Sequence, residues 1–463
     1  MKGHNRMLKN TRKPVLFLSI LPVITLVFLF ISCDHSQDKD NTALQELNMN
    51  ITQLPSVSPL QYKDEVFRKF DSYFDNARII GLGEDSHGVK EFFELKQRIF
   101  RYLVENHNCR ALGFEYGFRF QKSLEIENYV ASGEGDLDSI LSGLHWIHRN
   151  QEFRGLIEWM RGYNKGLQKE DMIHFIGIDS QVDIWYLDEL GRHFSQYDKD
   201  LHKFISDILE KLSKWGKIDH KSLKQEEYQE IKDLLASLKE KTLLFLSENP
   251  VSGENKMERD LLLRNIESHI LSHENRYWMY KNKSLRDSHM AEHVLWLKKI
   301  IGNEAKAAVW AHNAHVANDP HYARDGSPAM GKYLKEKMGA KYLVIGTGFT
   351  EGQFVAVTED YFGKDTNPIV WKLNVLPPEN SVDYLLRQAD YKNFILNIKG
   401  LPRTGNLYKY INKERPFFGV GDFYSSTYPE IHFSEDRIIN LATAYDMIFY
   451  FSGTQPISII KKE

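Results

Sequence analysis

The chain has 463 residues, enough for one large domain or two ordinary ones, and its 42% hydrophobic and 27% charged content is that of an ordinary folded protein. The formal net charge is −3, and no basic stripe runs through the body, which excludes nucleic acid as a partner. The cysteines are Cys33 and Cys109, and Cys109 alone remains in the body, so an internal disulfide framework is excluded as well.

The N-terminus carries Lys2, Arg6, Lys9, Arg12 and Lys13, then an apolar run over residues 15–31, then Ser32-Cys33 and a polar stretch. This is the layout of a secretory signal. Phe30-Ile31-Ser32-Cys33 resembles a bacterial lipobox, which makes Cys33 the lipidated residue and residues 1–33 a lipoprotein-type signal segment. An uncleaved transmembrane anchor and an ordinary cleaved signal are the alternatives. All three place the body outside the cytoplasm, and the first holds it to a membrane by a lipid. Residues 34–60 are polar, then Pro- and Ser-containing, and read as a flexible tether.

Residues 66–74 predict a first helix with Phe67, Phe70 and Phe74 on one face. Ile79, Ile80 and Leu82 then form a buried strand. Gly81 and Gly83 let its backbone pass close to something, and Glu84 and His87 follow, with Gly88 behind. The expectation is that a substrate and a water approach the backbone there. Phe92, Phe93, Leu95, Ile99, Phe100, Leu103 and Val104 recur at helical spacing directly afterwards. Residues 111–117 repeat the pattern of apolar run, carboxylate (Glu115) and glycine, and a helix follows. Residues 173–179 form a third strand ending at Asp179. Strand, helix, strand and helix in this spacing argue for parallel β-α-β units. Residues 182–301 turn helical, with stripes such as Leu201, Ile205, Ile208 and Leu212. Residues 305–316 return to strand-then-loop and carry His312 and His315. Later strands are predicted near 342–348, 354–357, 394–396 and 447–451. The predicted fold is α/β: a mostly parallel central sheet flanked by helices, with a large helical layer or cap inserted over about 182–301.

In a parallel sheet, Glu84 with His87, Glu115, Asp179, and His312 with His315 lie along one edge, where open α/β sheets place their sites. Histidines with carboxylates have two chemical readings. One is metal binding. The other is metal-free hydrolysis, in which a histidine deprotonates water and carboxylates orient it. Spacing alone leaves both open. A Gly-x-Ser-x-Gly elbow is absent, which argues against a covalent serine hydrolase.

Gly83-Glu84-Asp85-Ser86-His87-Gly88 with Glu91 to Lys96, Gly113-Phe114-Glu115, Arg286-Asp287 with Met290-Ala291, and Trp310-Ala311-His312-Asn313-Ala314-His315 resemble, in order, the motifs of the erythromycin esterase family. So do Met330-Gly331 and Ala444-Tyr445-Asp446. The resemblance implies one hydrolase domain over residues 61–463 that opens an ester or macrolide lactone with water and needs no cofactor. Carried over, it implies His87 as the general base and Glu84 and Glu115 as carboxylates positioning water. His312 and His315 would lie opposite, and Arg286 would be a cation stabilising the oxyanion. Lys96 stands where some members carry Arg. Trp146, Arg149, Tyr116 and Phe118 are the candidates to line a cleft for a small-molecule ester or lactone. A metal-dependent hydrolase on the same residues, and a non-catalytic ligand-binding surface lipoprotein, are the competing readings.

Overall fold

The computed structural model describes residues 41–60, 65–118, 121–180, 187, 191–192, 194–195, 198–216, 224–248, 256–279, 281, 285–319, 327–358, 367–373, 376–433 and 438–461. The strands in chain order are β1 (Ile51–Gln53), β2 (Ile79–Glu84), β3 (Cys109–Gly117), β4 (His174–Asp179), β5 (Lys306–His312) and β6 (Tyr342–Phe349). After them come β7 (Gly352–Ala356), β8 (Ile369–Leu373), β9 (Asn393–Leu396), β10 (Glu414–Pro416), β11 (Ile438–Asn440) and β12 (Met447–Phe451). Eight of them form one sheet in the order β1-β9-β12-β6-β2-β5-β3-β4, while β7-β8 and β10-β11 are small antiparallel ribbons.

From β12 to β4 every pairing is parallel. Strands buried on both faces read as continuous apolar runs, and β2 is buried at every position. The register sets Glu84 opposite His312, which brings the two predicted loops to the same edge. The pairing of β3 with β4 slips between Phe114 and Gly117, so Glu115 and Tyr116 lie in an irregularity. Such bulges re-aim side chains beside active sites.

The helix Lys90–Asn106 follows β2 and buries Phe92, Phe93, Leu95, Ile99, Phe100, Leu103 and Val104. It is stopped by Asn108, which takes the left-handed φ of 53° that asparagine tolerates after a helix. Cys109 then opens β3 as a buried thiol, pushed up to about 12 by burial.

Two boundaries differ from the sequence reading. Within the proposed tether, residues 41–50 are helical and bury Ala43 and Leu47. β1 pairs with β9 and closes the sheet edge, and Ser56 and Pro59 carbonyls accept hydrogen bonds from Arg98 and Arg101. An Ala-Leu pair one turn apart is too short a stripe to announce a helix, and its burial depends on partners far along the chain. In the helical insertion, Lys199–Gly216, Gln225–Glu248 and Lys256–Met279 share a core around Ile205, Leu235, Leu238 and Ile266. The helix Arg286–Ile300 instead packs on the main sheet, Met290 and Val294 joining Val309 and Ala311. The layer therefore ends before Arg286. Among the described residues no helix is long and apolar enough to cross a membrane. The signal segment and Cys33 lie outside the described residues.

Candidate active site

Glu84 ends β2 with its carboxylate buried at 3% exposure. Its Oε1 lies 2.6 Å from His87 Nδ1, and its Oε2 accepts from Trp310 Nε1 at 3.1 Å and from Lys96 Nζ. Lys96 is itself buried and rides 4.1 Å above the Trp310 ring. Burial alone would raise the Glu84 carboxyl, but the Lys96 charge and the His87 hydrogen bond outweigh it and push it down to about 2. Burial likewise pushes the Lys96 ammonium down, to about 8, against the pull of Glu84. For His87, burial opposes protonation, but the hydrogen bond and charge of Glu84, then Glu115 and Asp422, outweigh it and raise the imidazole above its usual 6.5. Nδ1 faces the carboxylate and carries the proton. Nε2 is then the basic nitrogen, and it makes no hydrogen bond among the described residues.

The second half of the site is built on β3, β4, β5 and the Arg286–Ile300 helix. Glu115 Oε1 accepts from Arg286 Nη2 at 3.0 Å and lies 3.2 Å from His315 Nε2, while Oε2 accepts from the His312 backbone N–H at 2.7 Å. Burial would raise this carboxyl too, but His315, Arg286 and His87 hold it well below the usual range. Asp179 grips Arg286 in a fork, 3.0 Å to Nε and 2.7 Å to Nη2. His315 Nδ1 is 2.8 Å from Asp287 Oδ1, which also accepts from the Met330 backbone at 2.8 Å. That carboxylate fixes the proton on Nδ1, and His315 Nε2 accepts from Arg286 Nη1 at 2.9 Å. His312 Nδ1 accepts from the Ala314 backbone at 3.2 Å, so its Nε2 donates to the Asp85 carbonyl at 3.3 Å. The rings of His87 and His312 lie 5.2 Å apart between centroids and join the two halves.

Glu84, His87, Glu115, His312, His315 and Arg286 are thus gathered at one sheet edge. The role implied for Arg286 needs correction. Four of its five N–H donors are committed to Asp179, Glu115 and His315, so it positions these groups and is not an open cation. Among the cleft candidates, Tyr116 is half-buried with its ring edge-on to His148 at 5.1 Å. Phe118 stacks on His293 at 4.3 Å and packs under the Arg286–Ile300 helix, and Trp146 belongs to the main core. Both are packing residues because the aromatic body gains more from burial than a surface position allows. Arg149 is half-buried, and its backbone carbonyl receives the Ile460 N–H at 2.9 Å. The glycine expectation is also corrected. A Cβ on Gly88 would lie 1.8 Å from the Val355 carbonyl oxygen, and one on Gly83 would lie 2.4 Å from Asn313 Oδ1. These glycines admit the protein's own neighbours.

Lys96 is one of three buried cations of the Lys90–Asn106 helix, with Arg98 and Arg101, and a buried lysine persists only when paired. The segment around Gly421 and Asp422 gave no signal in the sequence. It crosses the opening loop, the His87 N–H donating to the Gly421 carbonyl at 3.1 Å, and it comes from the far end of the chain. Among the described residues no group of three or more His, Cys, Asp or Glu side chains is disposed to hold a metal ion.

A mostly parallel sheet with an imidazole–carboxylate cluster at its strand ends defines an α/β protein with a hydrolase-type centre. The chain belongs to the erythromycin esterase family, whose sequence profile matches residues 104–454. It is 26% identical over 405 residues to erythromycin esterase type II of Escherichia coli, covering 79% of this chain and 93% of that protein. A putative hydrolase of Bacillus subtilis, YbfO, is 21% identical over 420 residues, covering 83% of this chain and 85% of the relative. Among solved structures, a mutant of the erythromycin esterase EreC in its open conformation superposes with a TM-score of 0.66 at 17% identity, over 89% of this chain and 99% of that one. A succinoglycan biosynthesis protein superposes with a TM-score of 0.75 at 21% identity, over 91% and 99%. These superpositions show the fold.

Proposed function

We propose that this protein is a carboxylic ester hydrolase that opens a lactone of the macrolide class, with His87 as the base that deprotonates water. The carrying observation is the coupling of His87 Nδ1 to the ionised Glu84 carboxylate, which leaves Nε2 as the basic nitrogen. Water gives one proton to Nε2 as its oxygen bonds to the ester carbon. The imidazolium then returns the proton to the departing alkoxide, and acid and alcohol result. Glu84 stabilises the imidazolium formed in the first step, as the carboxylate of a triad does. Glu115, held by Arg286, keeps a second carboxylate beside the base and sustains its affinity for a proton. The macrolide reading of the substrate rests on the similarity to erythromycin esterase type II. The reading needs no metal. It also has the protein anchored outside the cytoplasm through Cys33, on the strength of the lipobox-like sequence.

The test is incubation with erythromycin and a panel of smaller lactones and aryl esters, read by mass spectrometry. A gain of one water is the expected result. Absence of turnover on the whole panel, with measurable ligand binding, overturns the hydrolase reading.

A further inference from the structure

The loop that carries His87 is not held by its own strand alone. A strap from near the end of the chain lies across it, joined by a parallel bridge between Ser86 and Gly421. The N–H groups of Val420 and Gly421 donate to the Asp85 carbonyl at 3.1 and 3.3 Å, and the same carbonyl takes the His312 Nε2 hydrogen bond at 3.3 Å. The Gly421 carbonyl accepts the His87 N–H at 3.1 Å. Both backbone groups of Gly421 are thus spent on the catalytic loop.

The strap is itself clamped. The buried Asp383 carboxyl accepts the Phe418 N–H at 2.7 Å, and His432 bridges the Gly419 carbonyl and the Ser425 N–H, both at 3.1 Å. Val357, just after β7, accepts the Tyr424 N–H at 3.1 Å and donates to the Asp422 carbonyl at 2.9 Å. Swinging the tip aside would break several of these bonds, so the wall it forms is a fixed one.

Gly421 takes a left-handed φ of 64°. That alone does not demand glycine, because asparagine tolerates the region, as Asn108 does at 53°. The space in front of it is the stronger constraint. A Cβ at position 421 would lie 3.9 Å from His312 Nε2, and among the described residues no other heavy atom beyond its own chain neighbours comes within 4 Å. A Cβ on Gly83 or Gly88 would strike packed protein, whereas one on Gly421 would enter open space beside His312. The His312 ring lies 5.2 Å from that of His87, and both His87 and Gly421 are only half-buried, so this space adjoins the base and reaches solvent.

We propose that Gly421 is a specificity-determining residue: the strap is the wall of the ester site facing His312, and the missing side chain leaves room there for a bulky ester. The inference rests on the hydrolase reading above. A fixed wall limits the bulk of what lies against it, so an added side chain burdens a large substrate more than a small one.

The experiment compares wild type, Gly421→Ala and Gly421→Asn by melting temperature and by kcat and KM on the bulkiest and the smallest esters that the wild type hydrolyses. Gly339→Ala and Gly339→Asn are the controls. Gly339 caps the Met330–Met338 helix at φ 55°, and a Cβ there meets nothing within 4 Å among the described residues. At positive φ alanine is more strained than asparagine, so Gly→Ala is expected to lower the melting temperature more than Gly→Asn at both positions. Activity is expected to fall in the opposite order at position 421, with Gly421→Asn below Gly421→Ala, because the larger side chain fills more of the space. For Gly421→Ala the loss of kcat/KM on the bulkiest ester is expected to be about 10-fold or more, mainly in KM, and much smaller on the smallest ester. The Gly339 pair keeps wild-type kinetics. Activity that follows stability, with Gly421→Asn at or above Gly421→Ala, or an equal loss on both esters, assigns Gly421 a backbone role alone and overturns the inference while the hydrolase reading stands. A Gly421→Ala that loses far more stability than Gly339→Ala also overturns it, because the space is then not open. A wild type that turns over no ester overturns both.

Discussion

The pair Glu84–Lys96 offers the sharpest test of how this site is held. Lys96→Met keeps the length of the side chain and removes its charge. Among the described residues the buried Glu84 carboxylate then has His87 and the Trp310 N–H against its burial. Its displacement from 4.5 to about 2 corresponds to about 3 kcal/mol favouring the ionised form, in which Lys96 is the leading favourable contributor. Breaking one side of a buried pair costs about 3–5 kcal/mol, and Lys96→Met is expected to lose that much stability at pH 7. The double variant Glu84→Gln/Lys96→Met removes both charges and is expected to recover most of it. Urea unfolding followed by tryptophan fluorescence at pH 7 and pH 4 measures each term. The wild-type contribution of Glu84 is complete above about 4.5 and is lost as pH falls through about 2. In Lys96→Met the carboxyl titrates higher, so acidification relieves the unpaired anion and the gap from wild type narrows. A cost below about 1 kcal/mol at pH 7, or a double variant no more stable than the single, refutes the reasoning.

Other expectations concern the chemistry and the N-terminus. His87→Ala is expected to lower ester turnover by about 10²–10⁴ while the protein stays folded by circular dichroism, and turnover within a few-fold of wild type removes His87 as the base. Because His87 is raised above 6.5 and acts only when neutral, kcat/KM is expected to rise with pH through an inflection above 6.5. In Glu84→Gln that inflection moves downward, and an unchanged pH profile contradicts the coupling. Activity is expected to survive chelation, with elemental analysis of the purified protein as the companion measurement. Cys33→Ala is expected to move the protein from the membrane fraction to the soluble one, and unaltered membrane association counts against lipidation.

The parts of this site carried by local pattern were legible. β2 announces itself by a run buried on both faces, and Glu84 and His87 follow three positions apart, so the strand tip needed no distant information. The parallel order of the sheet follows from alternating strands and helices and brings Glu115 and His312 to the same edge. What sequence alone left out depends on long-range contact. The strap at Gly421 and Asp422 lies in a segment without periodicity, and its placement over His87 is fixed by backbone hydrogen bonds to residues far upstream. Arg286 looked like an open pocket cation because a sequence shows the residue and not how many of its donors are spent. Phe118 and Trp146 looked like cleft residues because aromatic density before a helix has the same appearance in a wall and in a core.

The charge of the site has a bearing on turnover. Glu84, Glu115, Asp179 and Asp287 are set against the cations Lys96 and Arg286, so the pocket walls are anionic before any reaction. An ester arrives uncharged and leaves as a carboxylate. The product is therefore formed amid like charge in a partly desolvated space, where repulsion is strong. On the ester-hydrolase proposal, the carboxylates that support the base are also the groups that repel the acid it makes.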